Sequence, residues 1–470
     1  MLFLKTRSFL LCLFLASLVM SPKARSVEAP PLEGPLTTVA ITITQERQDE
    51  FDWIATGFEG VSGAAMPGAA TNVVFGFLDS GSATHLVSYP DALALGVQGS
   101  FLSGNTFPVS GVDGVLVDLD ISLPVGFFIH GLQDLDGGGQ PQPSLMVGQG
   151  NFAAGVNSLD NYEFDVDTPT VIGAPFLLYF AAYIRNSQLV QSSVLENDRS
   201  SPSVTFYSDP EDPQIPVLAH KIFLEIRPTG SPTVGYLGEV DDELNVFPSI
   251  PSVILAGFSG ASLFFTASSM TFREGGNSTS GKMVVDTGAQ ATLLSEIAAA
   301  ELGLDLQNPD FEVEVQGLAE SIIAPGFYVD SGSIPAGGGT IAWTNIPVII
   351  VNVGSPEGGT LFGIFGSNLT AARDMVFNGA ASPPYLSVTA PIVTPHIKIT
   401  AIRSTGTDSA EVDWHAEPAP PVLHLEKCTD LALDPPEWIP VATNLLSTIT
   451  GTMSVTGLGD RSFFRLRAPQ

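Results

Sequence analysis

Two aspartates, Asp79 and Asp286, stand in matched surroundings 207 residues apart (286 less 79). Asp79 to Val97 reads DSGSATHLVSYPDALALGV, Asp286 to Leu304 reads DTGAQATLLSEIAAAELGL, and the two align without a gap. Asp79, Gly81, Leu86, Ser88, Ala92, Leu95 and Gly96 find identical partners in Asp286, Gly288, Leu293, Ser295, Ala299, Leu302 and Gly303. The chemistry open to such residues depends on their separation. Two carboxylates about 3 Å apart cannot both ionise, so they share one proton and supply both a base for a water and an acid for the group it attacks. That chemistry needs no cofactor and no metal.

The elements that would carry these residues repeat as well. In each copy an apolar strand (Val73 to Leu78; Lys282 to Val285) ends in Asp-Ser/Thr-Gly. The glycine permits a tight turn whose backbone N–H groups point back at the carboxylate. A short strand follows, and Ser88 or Ser295 can cap a brief helix that stops at Leu-Gly. Further on, FPVSGV from Phe107 answers FEVEVQGL from Phe311, and VIGAPFL from Val171 answers IFGSNL from Ile364. Two units of this size imply duplication, whereas a solenoid would need many shorter ones.

Phe77-Leu-Asp-Ser-Gly-Ser82 and Val284-Val-Asp-Thr-Gly-Ala289, with Ile172-Gly173 and Phe365-Gly366 later in each copy, resemble the aspartic proteases over roughly residues 39 to 390. Each half is similar to retropepsins, and the two-lobed single chain is similar to pepsin. The resemblance implies an all-β fold of two β-barrel lobes related by a pseudo-twofold axis. It makes Asp79 and Asp286 the catalytic dyad, with Ser80 and Thr287 tying the two loops together and Gly81 and Gly288 allowing close backbone approach. Hairpin flaps are implied at Gly111-Val112 and Gly317-Leu318. No Tyr lies between Phe101 and Asp120, which favours a flap with small apolar tips. The implied substrate is a protein or peptide, and a monomer is expected because both lobes share one chain. The early segment Val27 to Glu50 has none of the basic character of pepsin-like pro-segments.

Composition agrees with an all-β chain of several units. There are 470 residues, 44% hydrophobic and 14% charged, with 47 Gly and 36 Pro, enough apolar material for buried cores and many turns. The net charge of −31 excludes the basic stripe that nucleic acid or an anionic membrane surface requires. Residues 1–26 read as a signal peptide: Lys5 and Arg7, then the apolar run Phe9 to Val19, then Ala24-Arg25-Ser26. The expected location is therefore secreted, periplasmic or at the cell surface, with no membrane span once the signal is removed. Pro-rich breaks at Asp209 to Pro216 and Pro391 to Pro395 divide the remainder into lobes at 27–209 and 210–391 and a tail at 396–470. The tail resembles the small β-sandwich found at the ends of exported bacterial proteins. Of two cysteines, Cys12 lies in the signal, leaving Cys428 without an internal disulfide partner.

Other motifs are weaker. Tyr328-Val-Asp-Ser-Gly-Ser333 is a third match to the tetrapeptide but lacks the helix and Leu-Gly that follow the other two, so Asp330 reads as a strand end entering a turn. Asp134-Leu-Asp136 lacks the later acidic positions of a calcium loop. His85, His130 and His220 have no metal-ligand spacing. Asn368 of the sequon Asn368-Leu-Thr stands beside a core strand, which argues against its modification. An inactive, protease-like binding module is the alternative; the retention of both aspartates with their Ser/Thr and Gly weighs against it.

Overall fold

The computed structural model describes residues 29–45, 64–66, 68–71, 73–112, 114, 116–123, 125–135, 142, 145–156, 169–191, 200–228, 263–316, 321–354, 360–391, 396–406, 409–417, 423–428, 439–444, 450–456 and 463–467. The fold is all-β, with only short helices. The alternation in Val39 to Thr44 predicts a strand with one buried face. A strand forms at Thr38–Gln45, but Thr42 and Thr44 are buried along with Ile41 and Ile43. The reason is its central place, paired with Val73–Asp79 on one side and Val125–Gly131 on the other.

Ten strands between residues 38 and 173 make one sheet. Its key feature is the parallel pairing of Val171–Gly173 with Val73–Asp79, which sets Gly173 opposite Asp79. The second half repeats it: Gly363–Phe365 runs parallel to Asn277–Val285, with Val285 opposite Phe365. A twelve-stranded sheet contains this second unit and also strands Ala181–Gln191 and Ser200–Tyr207 from before the first Pro-rich break. Ala181–Gln191 pairs directly with Met375–Asn378, so Ala181 faces Asn378. One buried apolar core accordingly runs from Val39 to Val388 through both halves.

The helices follow the local signals. Ser88 caps helix Tyr89–Leu95 by accepting the Asp91 N–H, and Ser295 caps Glu296–Leu302 by accepting the Ala298 N–H, each at 3.3 Å. Both stop at a left-handed glycine, Gly96 at φ 74° and Gly303 at φ 77°. Beyond residue 395 lie two three-stranded antiparallel sheets. One holds His396–Gly406, Ser409–Glu417 and Thr450–Thr456; the other holds Ile439–Asn444, Leu423–Cys428 and Phe463–Arg467.

The caps give a direct test. Ser295→Ala should cost about 1 kcal/mol by leaving an amide of the first turn unbonded. Gly303→Ala should cost about 1–2 kcal/mol through the left-handed backbone. Urea unfolding midpoints of the two variants check both values.

Candidate active site

Asp79 ends the strand Val73–Asp79, and Asp286 directly follows Asn277–Val285. Beyond each, the chain turns sharply and its amides fold back on the carboxylate. Asp79 Oδ1 accepts the N–H groups of Gly81 at 2.8 Å and Ser82 at 3.0 Å. Asp286 Oδ1 accepts those of Gly288 at 2.8 Å and Ala289 at 2.9 Å. The two turns are thus the same structure built twice.

The turns also hold each other. Ser80 Oγ donates to Val285 O at 2.7 Å and accepts the Thr287 N–H at 3.1 Å. Thr287 Oγ1 donates to Leu78 O at 2.7 Å and accepts the Ser80 N–H at 3.0 Å. A hydroxyl is required at each position because one atom must donate and accept at once. Both hydroxyl residues are buried, so no water competes for these bonds.

The cross-tie brings the carboxyl groups within hydrogen-bonding reach of each other. The crowding explains the glycines. A Cβ on Gly81 would lie 2.2 Å from Asp286 Cγ, and one on Gly288 would lie 2.3 Å from Asp79 Cγ. Burial pushes the Asp286 carboxyl well above its ordinary range; the Asp79 charge and the hydrogen bond that protonated Asp286 donates to Asp79 add to the shift, and the Ala289 and Gly288 amides oppose it. One negative charge and one proton are what such a pair holds, so it can accept a proton from a water and give one to an oxygen.

The remaining candidate residues fall as follows. Gly111 and Val112 lie at the turn of the hairpin formed by Leu102–Ser110 and Leu116–Ser122. Val112 packs against a cluster of Leu293, Ala324, Ile349, Val351 and Ile364, all from the second half, to which Ala289 and Ala291 also pack. Gly317 and Leu318 lie outside the described residues, between strands Phe311–Gln316 and Ser321–Ala336. Residues 1–26, with Cys12, and Asp136 lie outside them too. Asp330 is not at a strand end: it sits inside Ser321–Ala336, opposite an irregularity at Asn345, where the backbone turns left-handed at φ 49°. Its carboxylate accepts the Gly275 N–H and its amide donates to Glu274, so it braces a neighbouring hairpin. Asn368 is buried, holding Thr292 and the Pro31 carbonyl. Among the described residues no group of three His, Cys, Asp or Glu could hold a metal ion, and no helix is long and apolar enough to cross a membrane.

Two features near the site escape a linear reading. Gly34, just before the first strand, donates to Gln290 O at 2.7 Å and accepts from Gln290 Nε2 at 3.2 Å. Thr37 O then accepts the Leu78 N–H, so one short segment touches the surroundings of both aspartates. His85, set aside in sequence as a scattered histidine, lies buried behind Asp79. The signal available was its place in the repeat, where Thr292 is its counterpart and both are polar among apolar neighbours.

Residues 271–369 match the family model described as aspartyl protease. Among solved structures, the chain is similar to the aspartic proteinase from Irpex lacteus, at 13% identity and a TM-score of 0.36, over 76% of this chain and 99% of that one. It is also similar to the basic 7S globulin from soybean, at 11% identity and a TM-score of 0.34, over 76% of this chain and 96% of that one. No curated protein matches the sequence.

The raised Asp286 carboxyl has a consequence for stability. The folded chain holds this proton to higher pH than the unfolded chain does, so folded stability falls as pH rises from the ordinary carboxyl range through the raised value. Asp286→Asn removes that liability. Its melting temperature should exceed that of the wild type at pH 7, and the gap should close at about pH 3, where the carboxyl is protonated in both states. Paired thermal melts across that range check the sign.

Proposed function

We propose that the protein is an exported aspartic endopeptidase that cleaves protein or peptide substrates as a monomer. The observation that carries this reading is the contact between the Asp79 and Asp286 carboxyls, each cradled by two amides and tied to the other's loop by a hydroxyl. The aspartyl protease match over the second half supports it.

In this reading a water sits against both carboxyl groups. The pair, carrying one proton, takes a proton from the water as it attacks the peptide carbonyl and delivers the other to the carbonyl oxygen. The resulting tetrahedral species collapses with protonation of the leaving nitrogen. The pair titrates as a unit, so neither aspartate holds a fixed role as acid or base. Ser80 and Thr287 set the separation on which the shared proton depends, and Gly81 and Gly288 leave room for it. The hairpin that carries Gly111 and Val112 reaches from the first half to the second, and it would close over a bound peptide and exclude bulk water.

The test is cleavage of an unfolded protein substrate from about pH 3 to 7. Asp79→Asn and Asp286→Asn should each abolish turnover, with a loss of at least about a thousandfold, because either change removes the shared proton or its acceptor. Asp330→Asn should retain turnover, since its carboxylate only braces a hairpin. The wild-type profile should be a bell, with its basic limb moved up by the raised Asp286 carboxyl. Equal losses in all three variants would mean the wrong aspartate had been assigned in the second half. A wild-type chain that cleaves nothing across this range would be a binding module instead.

A further inference from the structure

His85 is 1% exposed, and its ring packs beside Phe127, at 5.2 Å between centroids, and Phe176, at 6.5 Å. Its Nδ1 accepts the Gly173 N–H at 3.1 Å. Gly173 is the register partner of Asp79 in the parallel strand pair, so the imidazole is bonded to the strand that backs the aspartate. The second half treats the same place in a similar way. Thr292, the counterpart of His85 in the repeat, is buried and donates its hydroxyl to Asn368 Oδ1 at 2.7 Å, two residues past Gly366. Each half therefore sets a polar side chain, six residues after its aspartate, against the segment that supports that aspartate.

The two devices differ in one respect: a hydroxyl does not titrate in this range and an imidazole does. Accepting the Gly173 amide requires a bare Nδ1, so the ring hydrogen must sit on Nε2. In the imidazolium both nitrogens carry hydrogen, and Nδ1–H would face N–H. Groups that meet the ring include the Phe127 and Phe176 rings and the Gly173 backbone; Asp79 is a titratable residue on the adjoining strand, with Asp286 beyond it. Burial lowers the His85 value from 6.5 to about 3. The folded chain thus resists the proton that the unfolded chain takes up, and stability drains away as pH falls from 6.5 towards 3.

We propose that His85 is a positioning residue for Asp79: its neutral imidazole holds the Gly173 amide, Gly173 holds the strand that ends in Asp79, and the carboxyl pair keeps its geometry only while His85 is uncharged. The effect on turnover rests on the peptidase reading above, whereas the effect on carboxyl titration does not. The acid limit of the peptidase would then be set by an imidazole outside the carboxyl pair.

Two variants of the full chain separate the possibilities. His85→Asn puts an amide oxygen near the place of Nδ1 and cannot titrate. His85→Leu keeps the bulk and removes the acceptor. Aspartate side-chain carbon NMR across pH reads the carboxyl pair, and peptide cleavage reads turnover. His85→Asn should keep the wild-type carboxyl titration and kcat within about threefold, and should hold its activity to lower pH. His85→Leu should displace the carboxyl titration and lower kcat by about tenfold or more while KM changes little. A folded His85→Leu protein with wild-type carboxyl titration would overturn the proposal, as would a His85→Asn acid limb that has not moved. Should His85→Leu fail to fold, ring-nitrogen NMR of the wild type decides: an imidazole that titrates near 6.5 without disturbing the aspartate signals also overturns it. Absence of cleavage with the carboxyl shifts intact would instead count against the peptidase reading alone.

Discussion

Two carboxyl groups forced together repel once both are charged, and the reciprocal bonds of Ser80 and Thr287 are what hold them in place. Two unit charges 4 Å apart cost about 4 kcal/mol at an effective dielectric of 20. A single hydrogen bond returns about 0.5–1.5 kcal/mol net, so no one bond withstands that force. Four bonds in a closed ring do better, because moving either loop strains all four together. The chain also avoids the full repulsion by keeping a proton on the pair, as the raised Asp286 carboxyl indicates. The steric economy at Gly81 and Gly288 follows from the same demand for closeness.

The rest of the fold keeps the two loops from drifting apart. The core is continuous across the halves, and Ala181–Gln191 delivers first-half backbone into the sheet of the second. The segment around Gly34 does likewise on a smaller scale, bonding to Gln290 before it enters the strand that runs beside Asp79's own. The buried core is thus continuous across the Pro-rich break near residue 210. The halves are not identical supports: behind Asp79 stands an imidazole, and behind Asp286 a hydroxyl and an amide.

Much of the site was legible because its signals are local. Asp-Ser/Thr-Gly turns, Ser caps and Leu-Gly helix ends each depend on a few neighbouring residues, and the repeat showed every one of them twice. What was not legible depends on contacts distant in sequence. Nothing near Ala181 names Asn378 as its partner, and nothing near His85 points to Gly173. The alternation in Val39 to Thr44 identified a strand but not the burial of both its faces, since pairing on both sides is decided elsewhere. Asp330 shows the converse: a local signal identical in type to those at Asp79 and Asp286, placed mid-strand by a long antiparallel pairing with Gly339–Ile350.

The shared sheet also governs the order in which the molecule can be assembled. Strand Ala181–Gln191 leaves the ribosome nearly two hundred residues before Met375–Asn378, the strand that must cover its open edge. Until then that edge offers unpaired amides and carbonyls to any passing chain. Closing so long a loop is slow, and the waiting intermediate is the species most exposed to aggregation. A half-made chain therefore has the first aspartate loop in hand but nothing opposite it, and the carboxyl pair cannot form before Asp286 has been made. The arrangement keeps the two aspartates apart until the second repeat is in place.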